Sequence, residues 1–197
     1  AAGAPIGTGF GNNLWQTVSF LSRLFFANGA DTMQVYDGAT LAASPFTGVS
    51  LTTLIGGIAY QQRLYFWQNN STGFWYAPLN SITGALTFYD LSAFAPNGGN
   101  LSTAITFSHD GGKGVTDLIA FIMSSGDCLI YLGNDPSSAT DWQLVGRYRI
   151  SPPVGIRAVC NYGAEAFLTT FDDHVPLQAQ LVALKFGQLP PRSKAST

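Results

Sequence analysis

Charge is what this sequence has least of: Asp, Glu, Lys and Arg make up 10% of its 197 residues, against about 25% in ordinary globular proteins. The surface must therefore be carried largely by Ser, Thr, Asn, Gln and Gly. Nine Lys and Arg against eleven Asp and Glu give a net charge of −2, and no basic patch exists to hold a phosphate backbone, which excludes sequence-specific nucleic-acid binding. Cysteine is equally scarce. Cys128 and Cys160 lie in apolar runs rather than at a ligand spacing, so zinc is disfavoured and the two read as buried free thiols, with a disulfide between them as the other reading. The two histidines, His109 and His174, fall in turns of different segments and read as solvated, not as metal ligands. No metal or cofactor is expected.

Long hydrophobic runs are also missing. None approaches the roughly 20 residues that cross a bilayer, and no membrane association is expected. The opening "AAGAPIGTGFG" has neither a basic nor an apolar leader region, and an initiating Met is absent. The chain is expected to be a processed product or a piece of a longer polypeptide. Helical spacing of apolar residues occurs only in "PLQAQLVALKF", Pro176 to Phe186, which reads equally well as a last long strand.

What is present is an internal repeat. "RLFFANGADTMQVY", Arg23 to Tyr36, aligns without a gap to "RLYFWQNNSTGFWY", Arg63 to Tyr76, 40 residues on. A third copy, "DLIAFIMSSGDCLIY", runs from Asp117 to Tyr131 with one insertion, and a weaker fourth, "EAFLTTFDDHVPL", from Glu165 to Leu177. Each is an apolar run, a polar turn and a second apolar run, the pattern of an antiparallel hairpin. Further β-rich runs lie between them: "SLTTLI", "ALTFYDLS", "LSTAITFS", "WQLVGRYRI" and "IRAVCNY".

Hairpins recurring with outer strands between them predict an all-β chain of four-stranded antiparallel sheets, a β-propeller of about four blades or an arc of a larger one. A β-sandwich is the alternative. Blades are expected over residues 1–186 and a linker or tail over 187–197. If the first two copies are equivalent, Leu24 and Phe26 should be buried together, as should Leu64 and Phe66, with Tyr36 matching Tyr76.

Three stretches look chemical. "SHDGGKG", Ser108 to Gly114, sets Ser, His and Asp side by side, but neighbours on an extended chain point opposite ways and a triad needs convergence. Nor does it read as a phosphate-binding loop, since no Ser or Thr follows the lysine and no helix opens after it. It matches better the Asp-box turn of sialidase-like propellers through Ser108, Asp110 and Gly112, with Val115 where an aromatic belongs; the motif is structural in those families. Asp110 and Asp117 fall short of the six to eight oxygens that calcium takes.

"GNDPSSATDW", Gly133 to Trp142, reads as a turn: Asp135 precedes Pro136, Ser137 and Ser138 can bond the backbone, and Trp142 anchors the next strand. Asp141 belongs to the same turn, and Asp37 with Gly38 forms another. No catalytic residue is assigned. The aromatic hairpin "LYFWQNNSTGFWYAPL" reads mainly as inter-blade packing, with Trp67 and Trp75 as the residues that could stack on a glycan or touch a partner.

The segments "RLFFANGADTMQVYDG", "GFWYAPLNSITGALTFYDLS", "GGNL", "SHDGGKG", "DLIAFIMSSGDCLIYLGNDPSSATDWQLVG" and "PPVG", in this order, resemble the propeller region of bacteriophage tail and neck proteins. The relatives are the nozzle, or tail-tube, proteins of short-tailed phages, including the packaged-DNA stabilisation type. The similarity covers roughly Phe20 to Leu177 and is most specific from Asp117 to Gly146. It implies a virion component without enzyme activity, assembled in the bacterial host cytoplasm. It further implies a homo-oligomeric ring, commonly six subunits, around the DNA exit channel, in contact with adaptor, portal and fibres. Family members carry a channel-forming part as well, so the resemblance implies that this chain holds the propeller portion. A carbohydrate-binding propeller and, more remotely, a glycosidase-like enzyme are the competing expectations.

Overall fold

Tight hairpins set the architecture. The computed structural model describes residues 5–110, 115–162, 165–172 and 174–177. Strands β1 (Gln16–Phe20) and β2 (Arg23–Ala27) are joined by Leu21 and Ser22, at φ of 45° and 57°. Forty residues on, β6 (Leu54–Tyr60) and β7 (Arg63–Gln68) are joined by Gln61 and Gln62, at 45° and 61°. Two consecutive left-handed residues make the type I′ turn whose twist matches that of the flanking strands. Neither turn has the Asn-Gly signature, so the repeat extends over a hairpin that turn chemistry alone would not reveal.

The chain is all-β; among the described residues the exceptions are one short 3₁₀ turn at Ser92–Phe94 and the helical Leu177. The first sheet runs β1, β2, β3 (Gln34–Tyr36), β4 (Leu41–Ala43), each strand antiparallel to the last. A short strand β5 (Phe46–Thr47) follows, then the second sheet: β6, β7, β8 (Gly73–Tyr76) and β10 (Thr87–Asp90). Strand β9 (Gly84–Ala85), in the β8–β10 connection, pairs in parallel with β5. The third sheet is a meander of β11 (Leu101–Asp110), β12 (Val115–Met123), β13 (Asp127–Leu132) and β14 (Gln143–Arg149). The last is three-stranded, β15 (Val159–Tyr162), β16 (Glu165–Thr169) and β17 (His174–Pro176). Four-stranded antiparallel meanders are the expected blade element. Every hairpin named by the repeat forms: β2–β3, β7–β8, β12–β13 and β16–β17. Of "PLQAQLVALKF", all beyond Leu177 lies outside the described residues, as does the predicted tail.

Two compact units divide the chain, Ala1–Tyr89 and Asp90–Thr197. In the first, Phe25, Ala27 and Met33 of the first sheet pack with Leu54, Leu64 and Phe66 of the second, and Phe46 fills between them. The rings of Phe25 and Phe46 lie 6.4 and 5.8 Å from that of Phe66. Burying such side chains stabilises by about 1.5–3 kcal/mol each. In the second unit, Ile105, Ala120, Ile122 and Ile130 of the third sheet pack with Ala158, Ala166 and Leu168 of the last.

The ungapped alignment needs correction in two respects. Leu24 pairs with Tyr36, yet Tyr76 pairs with Tyr65 rather than with Leu64. Counted from the equivalent leucines, the first hairpin is one residue tighter, and the Asn28 side chain folds into its connection, accepting the N–H groups of Ala30 and Asp31 at 3.1 and 2.8 Å. For the same reason Asn28 is buried within its turn. Second, Leu64 and Phe66 are buried, but Leu24 and Phe26 are only half-buried. Leu64 and Phe66 face the first sheet, whereas Phe25 and Ala27, on the opposite face of β2, are the residues directed at the second. The corresponding face of the first sheet, with Leu24 and Phe26, lies against a different neighbour.

Candidate functional site

The carboxylates of the Gly133–Trp142 loop are spent on the loop's own backbone. Asp141 Oδ2 accepts the N–H groups of Asn134 and Asp135, both at 2.7 Å. Asp135 Oδ1 accepts from the Ser137 N–H at 3.1 Å and hydroxyl at 2.7 Å. The Trp142 N–H reaches the Ser138 carbonyl at 2.8 Å. Trp142 itself is buried and stacks on Tyr131, with ring centroids 5.0 Å apart and planes at 16°. Gly133, at φ 110°, faces the Asp141 carbonyl so closely that an added Cβ would overlap it. The arrangement closes β13 onto β14 and presents no free acid pair.

Asp37 works in the same way between β3 and β4. Its Oδ1 accepts the N–H groups of Ala39 and Thr40 at 2.9 and 2.7 Å, and the Thr40 hydroxyl donates to Oδ2. These donors favour the charged form and pull the carboxyl down to about 2. Gly38, at φ 101°, completes the turn.

Ser108 and Asp117 are cross-strand partners on β11 and β12, and the serine hydroxyl donates to Asp117 Oδ1 at 2.6 Å. Ser108 and Asp110 thus belong to strand β11 rather than to its turn, because the ladder continues to the Asp110–Val115 pair. Gly112 and the rest of the Asp-box reading, residues 111–114, lie outside the described residues. His174 is exposed, stacked on Phe167 at 5.5 Å and within 2.8 Å of the Thr169 hydroxyl. Among the described residues, no three His, Cys, Asp or Glu side chains gather as a metal site, and no helix is long and apolar enough to cross a membrane.

The two thiols differ. Cys128 is buried and its thiol is pushed up to about 12 by burial, whereas Cys160 is exposed, and the two are not bonded. The expectation of two buried thiols holds only for Cys128; Cys160 is exposed and follows Val159, which pairs with Leu168 and packs on its core, so strand alternation turns Cys160 the other way.

Trp67 is buried to 2% exposure, so a sugar cannot stack on it: β7 is buried on both faces from Arg63 to Trp67. Trp75 is half-buried, and its ring lies 5.1 Å from the exposed ring of Phe88. That pair is what remains of the predicted aromatic contact.

Two tethers escaped the sequence reading. Buried Asp127 accepts the backbone and side-chain N–H of Asn97, at 2.8 and 2.6 Å, with Arg149 3.9 Å away. Asp31 accepts the Gly11 N–H with both oxygens, at 3.0 and 2.8 Å, while the Asn12 side chain donates to the Asn28 carbonyl. The second tether straps residues 6–15 across the outer face of the first sheet. A cleft of about 190 Å³ remains beneath the strap, lined by Phe10, Trp15, Phe26 and Leu41, with Thr17 and Gln34 as its polar members. The only sequence hint was the aromatic content of "GFGNNLW", a segment with no strand pattern of its own.

No protein-family model matches the chain, and no curated protein matches it. Among solved structures, a chain described as "NanB plus Optactamide" is similar at 16% identity and a TM-score of 0.40. The match covers 78% of this chain and 24% of that one, so the chain spans about a quarter of the solved chain's length. A likeness of that degree carries no functional argument.

Proposed function

We propose that this chain is a structural, non-enzymatic component of a phage tail or neck, a nozzle-type part whose blade sheets meet neighbouring subunits, adaptor, portal or fibres in a ring around the exit channel. The observation that supports a structural role is the use of Asp135 and Asp141. Both carboxylates of the Gly133–Trp142 loop are engaged by amides of that loop, where a glycosidase needs a pair held apart across a cleft. The phage assignment rests on the resemblance of the run from Asp117 to Gly146. Apolar groups at the surface, such as Val145 at 48% and Phe171 at 74% exposure, suit contacts with other subunits.

Mass mapping of purified virions tests the reading. Peptides from residues 117–146 should be recovered from intact particles, and antibodies to the chain should label the tail. Turnover of aryl glycosides, lost in Asp117→Asn without loss of fold, would overturn it.

A second reading, carbohydrate binding in the same assembly, has one observation in its favour: the Trp75–Phe88 pair, with Phe88 at 41% exposure. A glycan array decides it. Saturable binding abolished in folded Trp75→Ala supports a lectin role, and binding unchanged in that variant excludes this site.

A further inference from the structure

We propose that the cleft under the 6–15 strap is a binding site for a small molecule carrying one uncharged aromatic ring. Its floor is a cross-strand row: Thr17 on β1 pairs with Phe26 on β2, which pairs with Gln34 on β3. On β4 the row meets Ala43, and Leu41, two residues away on the same face, lines the cleft, with Phe10 and Trp15 as its walls. Successive side chains of a strand alternate faces, so this row belongs wholly to the outer face of the first sheet and owes nothing to the Phe25 core.

The cleft persists because its roof is pinned rather than free to settle. On one side the Gly11 N–H is clamped by both oxygens of Asp31. On the other, Gly7 already lies so near Leu41 and Phe10 that an added Cβ would come within 2.8 and 2.9 Å of them. Between these fixed points the strap cannot collapse onto Phe26 without breaking one of them. An uncollapsed apolar space lacks contact partners on one side, and that shortfall is what a ligand recovers.

Size and chemistry define the occupant. A cavity of about 150 Å³ lined by aliphatic and aromatic groups takes up benzene, so about 190 Å³ admits one substituted or fused ring. Phe10 meets Trp15 at 85° and 4.9 Å, and Trp15 meets Phe26 at 90° and 6.3 Å. Such edge-to-face walls offer both ring edges and ring faces to a further ring. The repeat shows what satisfies the equivalent position: Phe66, the counterpart of Phe26, is packed by two rings, Phe25 and Phe46. Among the described residues no charged side chain lines the cleft, so an ionised ligand would lose hydration without a counter-charge. A sugar fits poorly too, since Thr17 and Gln34 are the polar side chains among the lining residues, against the several hydroxyls that a sugar must satisfy.

The test uses the whole chain with toluene and indole as probes, against benzoate and methyl glucoside as controls. Both neutral aromatics should bind saturably, with intermolecular NMR contacts from the probe ring to Phe26 and Leu41. The controls should not bind. Thr17→Phe, at an exposed strand position, fills the floor and should weaken both probes about tenfold or more with an unchanged melting temperature. If Thr17→Phe unfolds the sheet, the wild-type contacts alone decide. Absence of saturable binding, contacts elsewhere on the protein, or equal binding by folded Thr17→Phe would overturn the proposal.

Discussion

Asp141 Oδ2 holds the backbone N–H of Asn134 from seven residues away, at 2.7 Å, and with it the N–H of Asp135. A hydrogen bond to a charged group contributes more than a neutral one, and two amides lose their acceptor together when this carboxylate is removed. Asp141→Ala should therefore destabilise by about 1–2 kcal/mol, and Asp135→Ala, which frees one amide and one hydroxyl, by about 1 kcal/mol or less. Chemical denaturation of both variants checks the order. Asp135 as the more costly position would contradict the geometry.

The same loop supplies a backbone prediction. Gly133 sits at φ 110° with its missing Cβ aimed at the Asp141 carbonyl. Gly133→Ala combines a disfavoured dihedral with a clash against main chain, which cannot swing away, and should cost more than about 2 kcal/mol. Gly38→Ala also forces a left-handed alanine, but nothing lies within 4 Å of its added Cβ, so it should cost less. A thermal melt of the pair separates the two contributions.

Burial divides the cysteines into one reactive and one silent thiol. At pH 8 an aromatic disulfide reagent should titrate one thiol of the native chain, Cys160, and two after denaturation. Cys128, with its thiol raised to about 12, has almost no thiolate at that pH and no access. Modification of Cys128 in the native protein would show that the Ile122–Ile130 core opens on the reagent's timescale.

Asp37 gives a pH dependence with a definite sign. Its folded value of about 2 lies below the ordinary 3.8 because the Thr40 and Ala39 amides favour the carboxylate. A depressed acid contributes stability that is present above the unfolded value and lost as pH falls through the folded one. Its share should be full above about pH 4 and gone near pH 2. Asp37→Asn should therefore be less stable than wild type at pH 6, with the gap closing toward pH 2. A carboxyl NMR titration with a midpoint near 4 would refute the assignment.

Hairpins and turns were legible in the sequence because they are local. Alternating apolar runs around Asn28–Asp31, Ser124–Gly126 and Asp135–Asp141 specify antiparallel pairing through residues a few positions apart, whatever surrounds them. The 40-residue recurrence carried the sheet type for the same reason. Which face of each strand is buried was not legible, since Leu24 and Leu64 read alike. The difference is made by what lies opposite, the first sheet against Leu64 and Phe66 but the 6–15 strap against Phe26. The one-residue offset between Leu24–Tyr36 and Tyr65–Tyr76 likewise depends on a side chain, Asn28, choosing backbone partners inside its own turn. Cys128 and Cys160 sit in similar apolar runs, and the packed neighbour sheet buries only one of them. The Asp31–Gly11 clamp joins residues 20 positions apart through a glycine amide that has no side-chain signature. Long-range partners of this kind are selected by the fold as a whole, so the strap, the cleft beneath it and the Asp127–Asn97 tether came into view only with the tertiary structure.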